Sequence, residues 1–505
     1  MAMSVRQLAG ELGAHATGGD LETMVRRVTV DSREVAPGDL YVAVRGYSAD
    51  GHRWLADAEA AGCAAVAVMG EAPRDFDVPV LAFADTRPVP ALAARLLHGC
   101  PDTSLRLAGV TGTNGKTTTA FLLRDMLAAL EGGCGLLGTI RYETGTTIVP
   151  APLTTPDGPS LYGLLAEMRD AGLGAAALEV SSHALDQDRT AGLELDVGLM
   201  TNLSRDHLDY HRTLDAYLAA KLRIRELLCG AGRIKAPGAL AINVDDPAFA
   251  DVDAPGLRVV RWSTGWRGTA AGVVDVRLLD ADLEMTGTQL TIGAGGGTHR
   301  ITSSLVGRFN VENLTAAVAG GVALGYDVAD ICAALSATGQ VPGRMEGFGL
   351  PGGGLAVVDY AHTPDALDAV LESCRELSSG RLAAVFGCGG DRDSGKRPQM
   401  GAVAARGADA TWITSDNPRT EDPDAICAMI LDGYREVAGV DRDACRVVVD
   451  RTRAITEALD WAGEGDVVVI AGKGHEDYQI VGDRRLDLDD RAVVRQWIAT
   501  RGGAS

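Results

Sequence analysis

Residues 105–118 read Leu-Arg-Leu-Ala-Gly-Val-Thr-Gly-Thr-Asn-Gly-Lys-Thr-Thr. An apolar run leads into a glycine-rich turn, and the helix-patterned stretch TTTAFLLRDMLAAL follows at 117–130. Strand, glycine turn and helix in that order make a phosphate cradle: glycines let the backbone curl, and the free N–H groups of the first helical turn face an anion. Lys116 adds a positive charge, and the Thr117 hydroxyl stands where a Mg²⁺ ligand is needed. Gly112, Thr113, Asn114, Gly115 and Thr118 complete the loop. The strict P-loop spacing asks for glycine five residues before Gly115, and Val110 stands there instead. A purely structural glycine turn is the alternative, and GKTT opening a helix argues against it.

Outward from this loop the chain falls into three segments, 1–103, 104–340 and 341–505. At roughly 150 residues per domain, a chain of this length supports about three. The first segment holds short strand-like pieces, VTVDS, LYVAV, AAVAVM and VPVLAF, around turn signals such as Pro37-Gly38-Asp39 and Asp50-Gly51. In the second, strand-like and helix-like stretches alternate, which predicts a mainly parallel sheet with helices on both faces. The third repeats that pattern with the apolar runs LAVVDY, LAAVFG, ATWITS and DVVVIAG. The expected fold is therefore α/β in three domains: a small N-terminal α/β domain, a central P-loop-type parallel-sheet domain and a C-terminal Rossmann-like doubly wound domain. Polar residues gather just after the strands: SSHALDQDR after AAALEV, CGGDRDSGKRP after LAAVFG, DNPR after ATWITS and KGHED after DVVVIAG. Open parallel sheets bind ligands at the carboxyl ends of their strands, so a site assembled from facing domains is expected.

Bulk properties exclude several function classes. A net charge of −21 repels nucleic-acid backbones and anionic lipid, so neither is an expected partner. No apolar run approaches the roughly 20 residues that span a bilayer. The nine cysteines are scattered without a CxxC pair, and MAMSVRQLAGELGAHATGG has no charged-then-apolar leader pattern. Both features point to a reducing cytoplasm, without a disulfide framework or a structural zinc site. Anionic substrates would have to be met by locally gathered lysines and arginines.

Other residues carry chemistry with weaker signals. Glu179 ends the buried strand AAALEV, where a carboxylate can hold a metal beside phosphates; an ordinary strand-end acid is the alternative. Asp206, His207 and His211 lie in NLSRDHLDYH; the two histidines, four apart, would share a helix face, yet no cysteine nearby adds a ligand, so zinc is disfavoured. Lys221 in LDAYLAAKLRIREL reads by spacing alone as a solvated helix lysine. Asp416-Asn417-Pro418-Arg419 is either an Asn-Pro turn with a surface arginine or an arginine fork offered to a carboxylate.

With these residues in hand, the chain resembles the Mur ligases of peptidoglycan synthesis along nearly its whole length, most closely the diaminopimelate-adding members. GVTGTNGKTT, EVSSHALDQDR, TNLSRDHLDYH, GRFNVENLTAA, VPGRME, VDYAHTPDAL, FGCGGDRDSGKRP, SDNPR and AGKGHEDYQ are similar to the family's signatures and stand in its order. The resemblance implies an ATP-dependent amide-bond-forming ligase that adds diaminopimelate to UDP-MurNAc-L-Ala-D-Glu through an acyl phosphate. It implies that Lys116, Thr117, Glu179 and His207 serve ATP and Mg²⁺, and that Asn310, Asn313 and Arg344 hold the nucleotide. Val30, Ser32, Tyr47, Ser48 and Ala49 match positions that hold the uridine nucleotide; Thr154, Thr155, Ser181, Gln187 and Arg189 match those for the muramoyl-dipeptide. Lys221 matches the family's carbamylated lysine, a metal ligand, against its plain reading. Arg392, Asp416, Asn417, Pro418, Arg419, Gly472 and Glu476 match the site for the incoming amino acid. Leu153 stands where relatives often carry asparagine, and Tyr47-Ser48 replaces a His-Gln pair seen in some relatives. A cytoplasmic monomer is expected. The competing readings are a lysine-adding relative, a folylpolyglutamate-synthase-like ligase, and a P-loop switch without ligase activity.

Overall fold

The all-apolar runs of the sequence are strands buried on both faces, as parallel sheets covered by helices require. Arg106–Thr111, Ala175–Glu179, Leu355–Asp359, Leu382–Phe386, Ala410–Ile413 and Val467–Ala471 are the principal ones. They belong to a computed structural model that describes residues 2–46, 49–72, 74–230, 232–266 and 273–502. Two compact units emerge: Met1–Arg277 with Gly293–His299 and Asn313–Leu335, and Leu278–Ile292 with Arg300–Glu312 and Ser336–Ser505.

The first unit holds two larger sheets beside an antiparallel pair, Met3–Ser4 with Met24–Val25. One has five strands in the order His15–Thr17, Val80–Phe83, Ala65–Met69, Asp39–Val42, Arg27–Thr29. Only its His15–Thr17 edge pairs antiparallel. In the other, Arg106–Thr111 lies between Ala175–Glu179 and Val197–Met200, parallel to both. Beyond Val197–Met200 follow Ala239–Asn243 and Arg258–Ser263, also parallel. On the opposite side Cys134–Leu137 pairs parallel with Ala175–Glu179 and antiparallel with Arg141–Glu143. The register sets Glu179 opposite Val110, so the glutamate stands beside the turn that begins after the central strand. Helix Lys116–Glu131 packs back on the sheet through Phe121, Leu122, Leu123, Met126 and Leu127, all buried.

One sequence expectation is corrected here. Helices were expected between strands throughout the second segment, yet Val276–Glu284, Gly287–Ala294 and Gly297–Ser303 are three consecutive strands. VRLLDADLE alternates in burial rather than being apolar throughout, and Gly287 and Gly295-Gly296 all take positive φ. Alternation with glycine turns is the signature of a meander, not of a βαβ unit.

The second unit carries a six-stranded sheet in the order Glu346–Gly349, Leu355–Asp359, Val467–Ala471, Leu382–Phe386, Ala410–Ile413, Cys445–Val447. All its pairs are parallel except the first. Asp359 is opposite Ala471, Val385 opposite Ile470, and Phe386 opposite Ile413. Four strands thus end level with one another, and the loops beginning at Tyr360, Gly387, Thr414 and Gly472 leave from one edge.

Candidate active site

At the phosphate loop the backbone decides first. Gly112 has φ +150°, and a Cβ there would lie 1.9 Å from Thr201 Oγ1. Gly115 has φ +81°, and its Cβ would lie 2.4 Å from Asn313 Oδ1. Side chains at either position would push the loop off its supports. Those supports are specific: Thr113 N–H donates to Asn202 O at 2.8 Å, Asn114 N–H to Asn202 Oδ1 at 2.8 Å, and Thr201 Oγ1–H to Asn114 O at 2.7 Å. Lys116 opens the helix and folds its Nζ back onto the loop, donating to Gly112 O at 3.0 Å and Thr113 O at 2.8 Å.

Lys221 aims at the same place. It is 1% exposed, and its Nζ donates to Gly112 O at 2.6 Å above the Tyr217 ring. Burial, reinforced by the charge of Lys116, pushes its pKa well below the ordinary lysine value, with Asp206 opposing. The reading of this residue from spacing alone, as a solvated helix lysine, is therefore corrected. Helix Leu214–Leu222 turns it inward beside buried Tyr217 and Ala220.

Glu179 is 1% exposed. Thr117 Oγ1–H donates to its Oε2 at 3.1 Å, Thr139 N–H to Oε1 at 2.7 Å and Thr139 Oγ1–H to Oε2 at 3.0 Å. Thr154 Oγ1 is 3.1 Å from Thr139 Oγ1. The Thr117 hydroxyl and the Glu179 carboxylate form a hard-oxygen pair of the kind Mg²⁺ prefers. His207 sits at φ +52° just before the short helix Leu208–His211, so it does not share that helix's face with His211 as the spacing predicted. Its ring packs edge-on against His183 and Tyr217, and burial, then Lys116 and Lys221, lower its pKa against Asp206. His211 Nε2 instead lies 3.0 Å from Ser182 Oγ. His183 is lowered to about 4 by burial and by the two neighbouring histidines. No group of three or more His, Cys, Asp or Glu side chains with metal-ligand geometry occurs among the described residues.

The residues matched to the muramoyl-dipeptide form a chain of contacts leading from Glu179. Thr155 Oγ1–H donates to Glu179 O at 2.7 Å, Ser181 N–H donates to Thr155 Oγ1 at 3.0 Å, and Arg189 holds Gln187 Oε1 at 2.9 and 2.6 Å. Leu153 is exposed, and its carbonyl accepts from Tyr142 OH at 2.5 Å. In the uridine set, Val30 and Ala49 are exposed and Ser32 begins the 3₁₀ turn Ser32–Glu34. Tyr47 and Ser48 lie outside the described residues.

Asn310 and Asn313 lie three apart on helix Arg308–Leu324, a spacing that puts both on one face. Asn310 Nδ2–H donates to Val306 O at 2.8 Å, while Asn313 Oδ1 accepts from Thr119 Oγ1 at 3.3 Å. In the second unit Arg344 lies over the Tyr360 ring. Its Nε and the Nδ1 of His475 are buried without a hydrogen-bond partner among the described residues, polar groups of the kind that await a ligand.

The DNPR turn is anchored by backbone. Arg419, at φ +53°, donates its N–H to Ile480 O at 3.0 Å and accepts from Gly482 N–H at 2.7 Å. Its NH1 donates to Gly390 O at 2.8 Å. Gly389 brings both arginines to one point, because a Cβ there would lie 3.0 Å from Arg419 NH1 and 3.8 Å from Arg392 Cγ. Gly472, at φ +113°, would place a Cβ 2.8 Å from Asp416 Oδ2. Asn417 Nδ2–H donates to Glu476 Oε2 at 2.9 Å, and its Oδ1 accepts from Ile480 N–H at 2.9 Å. Pro418 stands between the two anchored residues.

Sequence reasoning missed three contributors. Thr139 follows the strand Cys134–Leu137, and Lys473 follows the strand Val467–Ala471 by two residues; polar residues just past an apolar strand were the available signal. Arg451, paired with Asp490 with both side chains fully buried, opens a helix after an Asp N-cap and gave no signal at all.

A phosphate cradle with a buried acid beside its helix-start threonine, on a parallel sheet, joined in one chain to a doubly wound domain, defines the class. Three family models match it in order: "Mur ligase family, catalytic domain" over residues 24–108, "Mur ligase middle domain" over 110–321, and "Mur ligase, glutamate ligase domain" over 343–474. The chain belongs to the Mur ligase family. It is 40% identical over 507 residues to the UDP-N-acetylmuramoyl-L-alanyl-D-glutamate--2,6-diaminopimelate ligase of Geobacter metallireducens, covering 97% of this chain and 98% of the relative. It is 43% identical over 493 residues to the enzyme of the same name from Xanthomonas campestris pv. campestris, covering 95% of each. A solved structure of a UDP-N-acetylmuramoyl-L-alanyl-D-glutamate--2,6-diaminopimelate ligase superposes with a TM-score of 0.71 at 33% identity, covering 99% of this chain and all of that one.

Proposed function

We propose that this protein is the ATP-dependent ligase that joins 2,6-diaminopimelate to the D-glutamate of UDP-MurNAc-L-Ala-D-Glu. The observation that carries the ligase reading is the convergence of Lys116, Thr117, Glu179 and Lys221 on one loop. A carboxylate is a poor acyl donor, so ATP must first convert it to an acyl phosphate, which the incoming amine attacks. Lys116 and the loop amides neutralise charge as the phosphoryl group moves. Thr117, Glu179 and His207 would hold Mg²⁺, which supplies charge stabilisation to the phosphates when bound. Lys221 is the candidate for carbamylation. Its neutral amine nitrogen would bond to the carbon of CO₂, release one proton and become an anionic oxygen ligand. Its burial against a carbonyl supports that reading, as does its match to the family's modified lysine.

Val30, Ser32, Tyr47, Ser48 and Ala49 are assigned to the uridine nucleotide, and Thr154, Thr155, Ser181, Gln187 and Arg189 to the muramoyl-dipeptide. Asn310, Asn313 and Arg344 are assigned to ATP; Arg392, Asp416, Asn417, Pro418, Arg419, Gly472 and Glu476 to diaminopimelate. The corresponding functional domains are 1–103, 104–340 and 341–505, in a cytoplasmic monomer. No helix among the described residues is long and apolar enough to cross a membrane.

A panel assay tests the reading. Purified protein with ATP and UDP-MurNAc-L-Ala-D-Glu is offered meso-diaminopimelate, LL-diaminopimelate and lysine, and phosphate release is followed. Release dependent on a diaminopimelate is expected; equal or better use of lysine moves the lysine-adding reading ahead. For carbamylation, Lys221→Ala is expected to be nearly inactive and partly restored by a short carboxylic acid; full activity of the variant rules the modification out.

A further inference from the structure

The loops after strands Ala410–Ile413 and Val467–Ala471 meet at an ammonium wholly removed from solvent. Lys473 is 0% exposed. Its Nζ donates to Asn417 Oδ1 at 3.2 Å and to Glu476 Oε2 at 3.4 Å, and lies 3.8 Å from Asp416 Oδ1. Asn417 closes the circuit by donating to Glu476 Oε2 at 2.9 Å. A cation so placed requires compensating acids, and here it has two. One ammonium between two carboxylates leaves one negative charge in surplus. Arg419, whose backbone is fixed two residues beyond Asn417, and Arg392, which approaches it at Gly389, add guanidiniums. The cluster therefore presents an unbalanced acid beside basic groups. That arrangement complements an amino-acid end carrying both an ammonium and a carboxylate.

We infer that Lys473 is a positioning and specificity-determining residue: it cancels one of the two carboxylates Asp416 and Glu476 and fixes their aim, so that the site's charge matches a zwitterionic far end and disfavours one bearing an ammonium alone. This rests on the reading of the Arg419 cluster as the diaminopimelate site. Without the ammonium the cluster gains a unit of negative charge, which favours a purely cationic end over a zwitterionic one. Lys473 thus acts through its neighbours and has no part in the chemical step.

The test measures kcat and KM for diaminopimelate and for lysine in full-length wild type, Lys473→Met and Lys473→Gln, with ATP and UDP-MurNAc-L-Ala-D-Glu present. Methionine keeps an unbranched side chain one atom shorter and without charge; glutamine keeps an N–H donor and drops the charge. Wild type reports on the underlying reading by itself: if it does not prefer diaminopimelate, the site assignment fails before any variant is considered. Given that preference, the diaminopimelate-to-lysine ratio of kcat/KM is expected to fall at least about tenfold in each variant, the low end of the discrimination a misfitted buried polar group produces. The KM for ATP is expected to stay within about threefold, since nucleotide binding is not what the substitution removes. A purely structural role would lower both amino acids together and leave the ratio intact. An intact ratio in whichever variant folds overturns the inference, as does failure of both variants to fold, which would make Lys473 a stability residue only.

Discussion

Lys221 at the phosphate loop and Lys473 in the C-terminal loop cluster are 1% and 0% exposed, and their surroundings are opposite. Lys221 meets a carbonyl, an aromatic ring and the charge of Lys116; among the described residues no carboxylate pairs with it. Lys473 has Asp416 and Glu476 within 4 Å. Its region treats other buried cations alike: Arg451 is bidentate to Asp490, and Arg397, 2% exposed, is bidentate to Glu421. At the phosphate loop Lys116 and Lys221 both donate to backbone carbonyls, which gathers two amines on one loop of a chain of net charge −21. The C-terminal cluster neutralises its charges internally, which fixes the loops that carry them.

Breaking a compensated pair should have the largest effect. Arg451→Leu leaves Asp490 buried and alone, and is expected to cost about 3–5 kcal/mol of stability in urea unfolding. A change below about 1 kcal/mol would mean that the pair is not needed to hold the strand ends. At the phosphate loop the effect falls on turnover. Lys116→Ala is expected to lower kcat at least about a hundredfold, some 2.7 kcal/mol, with folding preserved. Activity within about threefold of wild type would sink the phosphate-loop assignment. Arg419→Ala is expected to raise KM for diaminopimelate about ten- to a hundredfold, as loss of charge-assisted hydrogen bonds worth about 1.5–3 kcal/mol implies. The KM for ATP should hardly move; equal rises in both would assign Arg419 to folding rather than to the amino acid.

A pH effect of similar size belongs to the C-terminal region. Burial, with Arg344 and Arg491, lowers His475 to about 3. A basic group lowered in the folded state contributes its stability fully above the unfolded value near 6.5, and loses it as pH falls toward the folded value. Between pH 7 and pH 5 His475 should therefore remove about 2 kcal/mol of stability. His475→Gln should flatten that slope, and an unchanged slope in urea melts at the two pH values would contradict the burial argument. The smallest effect sharpens the contrast most. Lys221→Met removes an uncompensated buried amine, so unfolding free energy is expected to stay within about 1 kcal/mol of wild type or rise. A loss beyond about 3 kcal/mol would show that Lys221 is paired after all.

Much of this was legible in the chain itself. The strands at 106–111, 175–179, 355–359, 382–386 and 467–471 were visible because both faces are buried, so the residues inside them are apolar and polar ones stand only at their ends. The meander at 276–303 was not assigned, because alternating strands with one exposed face lack that continuous signal. Gly112, Gly115, Lys116, Thr117 and Glu179 could be named as a site because one strand-turn-helix supplies most of them. Thr139 and Arg451 could not, since their partners lie 40 and 39 residues away.

Sequence alone determined the buried parallel strands, the phosphate loop and the family, because those depend on local spacing and on burial written residue by residue. Only the tertiary structure decided which charges are compensated. Lys116, Lys221 and Lys473 all stand on or beside helix- and strand-patterned stretches and are chemically identical in the chain. What separates them is whether the chain folds a carboxylate or a carbonyl against the amine. At Lys221 that partner is the Gly112 carbonyl, 109 residues away; at Lys473 it is the carboxylate of Asp416, carried by the loop after another strand, together with that of Glu476. Coulombic energy depends on distance and local dielectric, and neither is encoded in the spacing of residues along the chain.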